Sequence, residues 1–443
     1  MLCRKSGGYQ WIFTASVLVF LILGLENMAH GQYGGTNAGA CGISPLSREF
    51  SPESGKSAFG LVPSICVSER YDTNVFFAPP VPGLQREDFV TNVNPMLRIN
   101  HNGAYVSGYL RMSGFGEAYI KNPSLNYLGT NDTLSLDLNN SIKRLLPNAT
   151  LNITDTFSYT PLPPGFLNPA AGTSPSDPGN PQNVYAQGVL GFRTNNVINS
   201  ATVTGSYATT ASTSLNASYN YSIIRFGSSP STPSLLFDTT SQTGTVGGAA
   251  RLSEVDTASI KYAHVQTESI PNSSSSASTG FLFKIDSATI GWSRLLTPNL
   301  KAEVGGGGIL INMEQTTYAA NAMLLMNYAT NTATLSYAHT AFPTFYGGGV
   351  LIGDTFVLSA NHLLDRQWQL SETASYAHSS SANGLTPLTY DSFQGGGELR
   401  YWMTSNWSTG LNYSYTKFMQ ESGSTDTNVI RQFVMLSVKA TWE

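Results

Sequence analysis

Charge is scarce in this chain: Asp, Glu, Lys and Arg together make up 11% of its 443 residues. A water-facing surface is usually about 25–35% charged, so something other than water must cover much of this protein. The formal net charge is only −4, and no basic stripe interleaved with aromatics is present; nucleic acid is therefore set aside as a partner. Long apolar runs are also lacking beyond residue 25, where nothing approaches the ~20 apolar residues of a membrane-spanning helix. Catalytic signatures are missing as well: there is no His-Glu-x-x-His, no zinc spacing of cysteines and no Gly-x-Ser-x-Gly. The expectation is a protein that is not an enzyme and needs no cofactor or metal.

Cysteine is rare, with three in the whole chain. Cys3 belongs to an export leader, in which Arg4 and Lys5 form the charged start, Trp11 to Leu25 the apolar stretch, and Ala29-His30-Gly31 the small-residue cleavage site. Residues 1–31 are thus expected to be a signal peptide, 32–59 an N-terminal periplasmic linker, and 60–443 the folded unit. Cys41 and Cys66 remain in an oxidising compartment, where a disulfide persists if it forms; a pair and two separate thiols are both open readings.

What is abundant is Ser, Thr, Asn, Gly and Tyr, arranged with period two. Leu134, Leu136 and Leu138 alternate with Ser135, Asp137 and Asn139, and Leu215, Ala217, Tyr219 and Tyr221 with Asn216, Ser218 and Asn220. This is strand periodicity. A soluble sandwich would oppose packed aliphatics to a charged outer face; here the polar face is Asn, Ser, Thr and Gly, and the apolar face is crowned with Tyr. Short turns such as 146–148, 253–255, 296–298, 364–365 and 404–406 take turns with longer stretches near 161–195, 227–239, 268–279, 379–387 and 419–427. That sorting belongs to transmembrane barrels. The expected fold is all-β, an antiparallel up-and-down transmembrane barrel of about eighteen strands, with sixteen as the alternative; Val184 to Arg193 is assigned to the long loop.

Aromatic elements recur before the longer connections: Phe157-x-Tyr159, Tyr219-x-Tyr221, Tyr262-x-His264, Tyr337-x-His339, Tyr376-x-His378 and Tyr413-x-Tyr415. They read as one girdle at the lipid–water boundary, and the histidines, on separated strands, do not converge as metal ligands. On the opposite parity, Asp137, Lys143, Lys261, Lys284, Asp286, Lys301, Glu303, Glu398 and Arg400 are expected to line the interior. Both signs occur, so weak ion selectivity is expected. Asp155 and Glu372 fall in the apolar register, which suggests a bulge or a slip in the assignment. Glycine runs at 305–308, 347–349 and 395–397 mark bends or close approach rather than phosphate cradles.

The segment Val67 to Phe76, the segment Asp88 to Leu97 and the Arg144-Leu145-Leu146-Pro147-Asn148-Ala149-Thr150-Leu151 turn resemble the β-barrel porin group that includes barrels found beside exosortase and exopolysaccharide systems. The resemblance spans roughly residues 60–443 and implies an outer-membrane channel, without defined catalytic residues. The final strand, Val429 to Trp442, resembles the closing signal recognised by barrel assembly machinery, although Glu443 follows the aromatic. The expected location is the outer membrane of a Gram-negative bacterium, with outer-membrane lipid, the assembly machinery, small hydrophilic solutes or saccharides and a homo-oligomer as partners. The alternative is a structural, adhesive or exopolysaccharide-accessory barrel without an open pore.

Overall fold

The computed structural model describes residues 59–80, 82–160, 195–227, 237–271, 280–344, 349–384, 388–422 and 425–442. They form one sheet of eighteen antiparallel strands: β1 (Phe59–Asp72), β2 (Asp88–Asn102), β3 (Ser107–Tyr119), β4 (Tyr127–Asp137), β5 (Ala149–Thr160), β6 (Asn196–Ala208), β7 (Thr213–Phe226), β8 (Phe237–Arg251), β9 (Asp256–Pro271), β10 (Phe281–Thr297), β11 (Leu300–Ile311), β12 (Gln315–Asn327), β13 (Asn331–Thr344), β14 (Gly349–Leu363), β15 (Trp368–Gly384), β16 (Leu388–Trp402), β17 (Trp407–Ser422) and β18 (Thr425–Thr441). Each pairs with the next, and β1 pairs with β18 from Ser64 opposite Thr441 to Asp72 opposite Phe433. Closure leaves no edge, the condition for a sheet in hydrocarbon. The leader, the linker, Cys41 and the segment 184–193 lie outside the described residues.

The period-two pattern becomes two faces. On β18, Ile430, Val434, Leu436 and Val438 are exposed while Val429, Arg431, Phe433, Met435, Ser437 and Lys439 are buried. The same split runs around the wall, with Leu61, Val67, Leu215, Val246, Ile260, Ile290, Val304, Leu335, Phe356 and Leu411 outward. A large apolar exterior that no other described residue covers is a surface for lipid. Short turns close one end, and β1 begins and β18 ends there. At that end Asn139–Ile142 forms a one-turn helix, α1, between β4 and β5. No described helix is long and apolar enough to cross a membrane.

Three expectations need correction here. The stretches 379–387 and 419–427 are mostly strand, since β15 runs to Gly384, β16 starts at Leu388, and Ser422 already pairs with Thr425; their Ser- and Asn-rich sequences suit the polar inner face as well as they suit a loop. The β11–β12 connection at the loop end is a tight turn, with Asn312 and Met313 at φ 51° and 62°. Finally, Asp155 and Glu372 sit in unbroken register, so no bulge flips them. Both face outward, and Asp155 accepts a hydrogen bond from Asn199 Nδ2 at 3.0 Å. A polar neighbour, not a register change, accommodates that carboxylate.

Candidate channel lumen

The interior is built from the small polar residues that the alternation turns inward. Ser64, Ser68, Thr133, Ser200, Thr245, Thr267, Ser336, Thr355, Ser371, Ser408 and Thr416 are buried along the inner wall. Glycine lets strands approach closely at one point of the β10–β11 contact: a Cβ on Gly307 would lie 1.8 Å from the Ala288 carbonyl oxygen. The glycine run thus marks close approach.

An ion network crosses the seam where the barrel closes. Arg431 on β18 donates to Asp72 on β1 through Nε, at 3.1 and 3.0 Å from the two oxygens, and through Nη2 at 2.5 Å. Arg70 places Nε 3.4 Å from Asp72 and forks through Nη1 and Nη2 onto Glu117 of β3 at 3.2 and 3.1 Å. Tyr119 donates to the same Glu117 at 2.5 Å. All five side chains are buried. Bidentate guanidinium–carboxylate geometry is the arrangement that lets buried charge persist.

The network anchors the β1–β2 connection onto the inner wall. The Asn74 backbone N–H donates to Asp72 Oδ1 at 3.0 Å, and the Asn74 Nδ2 donates to the carbonyls of Ala78 and Ile430 at 2.9 and 3.0 Å. Phe77 follows with φ 48°, a left-handed backbone unusual for a residue with a side chain. Its ring is buried among Phe342, Leu351, Ala377, Leu388, Tyr390, Phe418 and Val429, inward-facing residues of β13 to β18. Burying a phenylalanine contributes roughly 1.5–3 kcal/mol, enough to hold about 1–2 kcal/mol of left-handed strain. The connection therefore folds into the barrel mouth.

A second apolar patch lies on the same level. Phe283, Ile285, Ile309, Ile311 and Ala319 of β10 to β12 face inward and pack against Ala341 and Val350 of the β13–β14 hairpin. That hairpin leans across the shorter β11–β12 hairpin toward the axis. This geometry explains where the sequence parity fails. Around Phe283-Lys284-Ile285-Asp286 both faces carry apolar residues in turn with other types, and the inner face is the apolar one; Lys284 and Asp286 consequently share the outward face of Leu282, Ile290 and Trp292 and do not line the lumen. Lys143 is also displaced from the expected wall, because it caps α1 in an exposed turn.

The remaining expected residues face inward. Lys301 and Glu303 pair with each other at 2.5 Å, and Arg400 donates to Glu398 at 2.9 and 2.7 Å. Asp137 accepts from the Asn139 backbone at 2.7 Å near the short-turn end, and Lys261 shares its parity with buried Ala263, Thr267 and Ser269. The structure adds inward residues missed in the sequence: Arg70, Asp72, Glu117, Arg431, and the directly opposed Arg98 and Arg111. Arg98 lies over the Tyr109 ring at 4.2 Å, and Arg111 donates to Thr133 Oγ1 at 2.9 Å. Extending the parity of Ser64, Cys66 and Ser68 along β1 would have reached Arg70 and Asp72. Cys66 itself faces inward and is disulfide-bonded.

A closed wall of eighteen strands, apolar outside and polar inside, with short turns at one end and longer connections at the other, defines a multi-pass β-barrel of the bacterial outer membrane, built as porins are. No family model matches the chain, and no curated protein is similar to it. Among solved structures, Pseudomonas aeruginosa OpdK is similar at 10% identity and TM-score 0.44, covering 86% of this chain and 99% of that one. OpdQ of the same organism gives 10% identity and 0.42 over 87% and 99%. The siderophore receptor PirA, again from Pseudomonas aeruginosa, gives 9% and 0.41 over 86% and 80%. Likenesses at this level do not bear on solute or mechanism; the class rests on closure and on the two faces of the wall.

Proposed function

We propose that the protein is a passive channel for small hydrophilic solutes or saccharides, with its narrowest passage at the loop end. The observation that carries this reading is the polar inner wall of an eighteen-stranded barrel, a size that encloses water. Solutes would cross by diffusion along hydroxyl and amide groups, which exchange hydrogen bonds with sugar hydroxyls at little net cost. Carboxylates and cations paired with each other, as in Glu303–Lys301 and Glu398–Arg400, support weak ion selectivity. In this reading Asp137, Lys261, Lys301, Glu303, Glu398 and Arg400 line the pore.

The test is solute-dependent swelling of vesicles that hold the folded barrel. Swelling rates that fall steadily from a monosaccharide to a tetrasaccharide support the channel, whereas rates equal to those of empty vesicles for every sugar rule it out. A second reading, a structural barrel or an accessory to exopolysaccharide export without an open pore, draws on the Phe77 cluster at the mouth, and the latter result would favour it. The resemblance to barrels beside exosortase systems belongs to this second reading. Cys41 is the proposed partner of Cys66, which peptide mapping before and after reduction tests. We also propose that the assembly machinery recognises β18 and that the barrel forms a homo-oligomer.

A further inference from the structure

The aromatic girdle contains a repeated polar unit that a girdle does not need. Tyr262 donates to Asp286 at 2.5 Å while His264 Nδ1 lies 2.8 Å from the same oxygen. Tyr337 and His339 make the same pair of contacts to Asp354 at 2.7 and 2.9 Å, and Tyr376 and His378 to Asp391 at 2.8 and 3.0 Å. In each unit the histidine stands directly across the ladder from the aspartate. Where the equivalent residue is tyrosine, no acid stands across the ladder on the next strand: Tyr221 faces Gln242, Tyr415 faces Gln432 and Tyr159 faces Val197. The acid therefore appears only where histidine does. Tyrosine with glutamine already satisfies a girdle, so the His–Asp units supply something more.

A carboxylate only accepts hydrogen bonds, so the facing Nδ1 must carry the proton, and the ring presents Nε2 away from the aspartate. In two units this edge is open to the surroundings: the His264 and His378 side chains are 41% and 44% exposed. The third is capped, because the Tyr318 ring stacks on His339 at 3.9 Å and leaves that side chain 8% exposed, its Nε2 unpartnered. Each open unit also has a lysine on the same outward face. Lys284 lies two residues beyond Asp286 on β10, and Lys417 of β17 stands across from Phe393, diagonal to Asp391. All of these residues sit toward the loop end of their strands, where the outward Ile260, Ile290, Leu335 and Leu358 give way to polar side chains.

We infer that Tyr262–His264–Asp286 with Lys284, and Tyr376–His378–Asp391 with Lys417, are two headgroup sites for a phosphorylated glycolipid of the outer leaflet. The ammonium meets the phosphate, the imidazole Nε2 accepts from an adjoining sugar hydroxyl, the aspartate fixes the ring, and the tyrosine gives the sugar a flat apolar face. The units face lipid rather than lumen, so the inference stands or falls independently of conduction.

Native mass spectrometry of the folded barrel with bisphosphorylated lipid A, its dephosphorylated form and phosphatidylethanolamine tests it. The wild type and His339→Asn are expected to retain lipid A preferentially. His264→Asn with His378→Asn, and separately Lys284→Gln with Lys417→Gln, are expected to weaken retention about tenfold, the size of one hydrogen bond lost at each site. The lysine pair lies outside the triads and keeps the test decisive if the histidine variant does not fold, which heat-modifiable gel mobility reports. Unchanged retention in the lysine variant, or dephosphorylated glycolipid held as tightly as lipid A, would overturn the assignment.

Discussion

The barrel holds carboxylates against low-dielectric surroundings on both faces, and it does so with different partners. On the inner face at the seam, Asp72 and Glu117 are gripped by the guanidinium groups of Arg431 and Arg70. On the outer face, Asp286, Asp354 and Asp391 are held by a phenol and an imidazole each. A guanidinium is always charged and forks onto a carboxylate, which suits a closed network joining strands distant in sequence. An imidazole can stay neutral and a phenol is neutral, so the outer units satisfy the acid without bringing a fixed positive charge to lipid. The inner network welds the barrel; the outer units present chemistry to the membrane.

If that contrast is right, the inner network is the more costly to break. Arg431→Met leaves Asp72 buried with only Arg70 and is expected to destabilise the barrel by about 3–5 kcal/mol, the usual cost of stranding one member of a buried pair; urea unfolding of the protein refolded into vesicles measures it. Glu117→Gln keeps the shape but removes the fork on Arg70, and a loss of about 1.5–3 kcal/mol is expected by the same method. On the outer face Asp391→Asn retains an acceptor for Tyr376 and should cost only about 0.5–1.5 kcal/mol. A loss as large as that of Arg431→Met would erase the distinction between the faces.

The smallest effect belongs to the exposed rim. Lys121, whose ammonium bonds Glu87 at 2.8 Å, together with the Tyr71 hydroxyl holds the Glu87 carboxyl below its ordinary range, and Glu87 in turn raises Lys121. The glutamate's contribution is full above the ordinary carboxylate pKa and fades as pH falls through its lowered value; that of the lysine is full below the ordinary ammonium pKa and fades as pH rises through its raised one. Proteolysis within the β1–β2 connection should therefore be slowest across the middle of the pH range and increase at both extremes. A rate that is flat from acid to alkaline pH would show that the pair does not restrain the rim.

Much of the wall was legible because lipid enforces period two: the alternations at Leu134–Leu136 and Leu215–Tyr221 fall within β4 and β7. The lumen was less legible. Parity assigns Glu398 and Arg400 inward because Leu399 and Tyr401 are plainly the lipid-facing neighbours. It fails at Lys284 and Asp286 because the inner face there is covered by a hairpin distant in sequence, and nothing local to β10 announces that Val350 will pack on Ile311. Phe77 was hidden for the same reason. Its left-handed backbone and its place among seven strand residues are products of the closed barrel.

The most direct test is single-channel conductance in a planar bilayer, wild type against Phe77→Ala, with gel mobility confirming that both barrels are folded. The expected result is stable steps from the wild type with weak selectivity in a salt gradient, and larger steps once the ring at the mouth is removed. Silence from both folded proteins would contradict the account of a water-filled passage narrowed by Phe77.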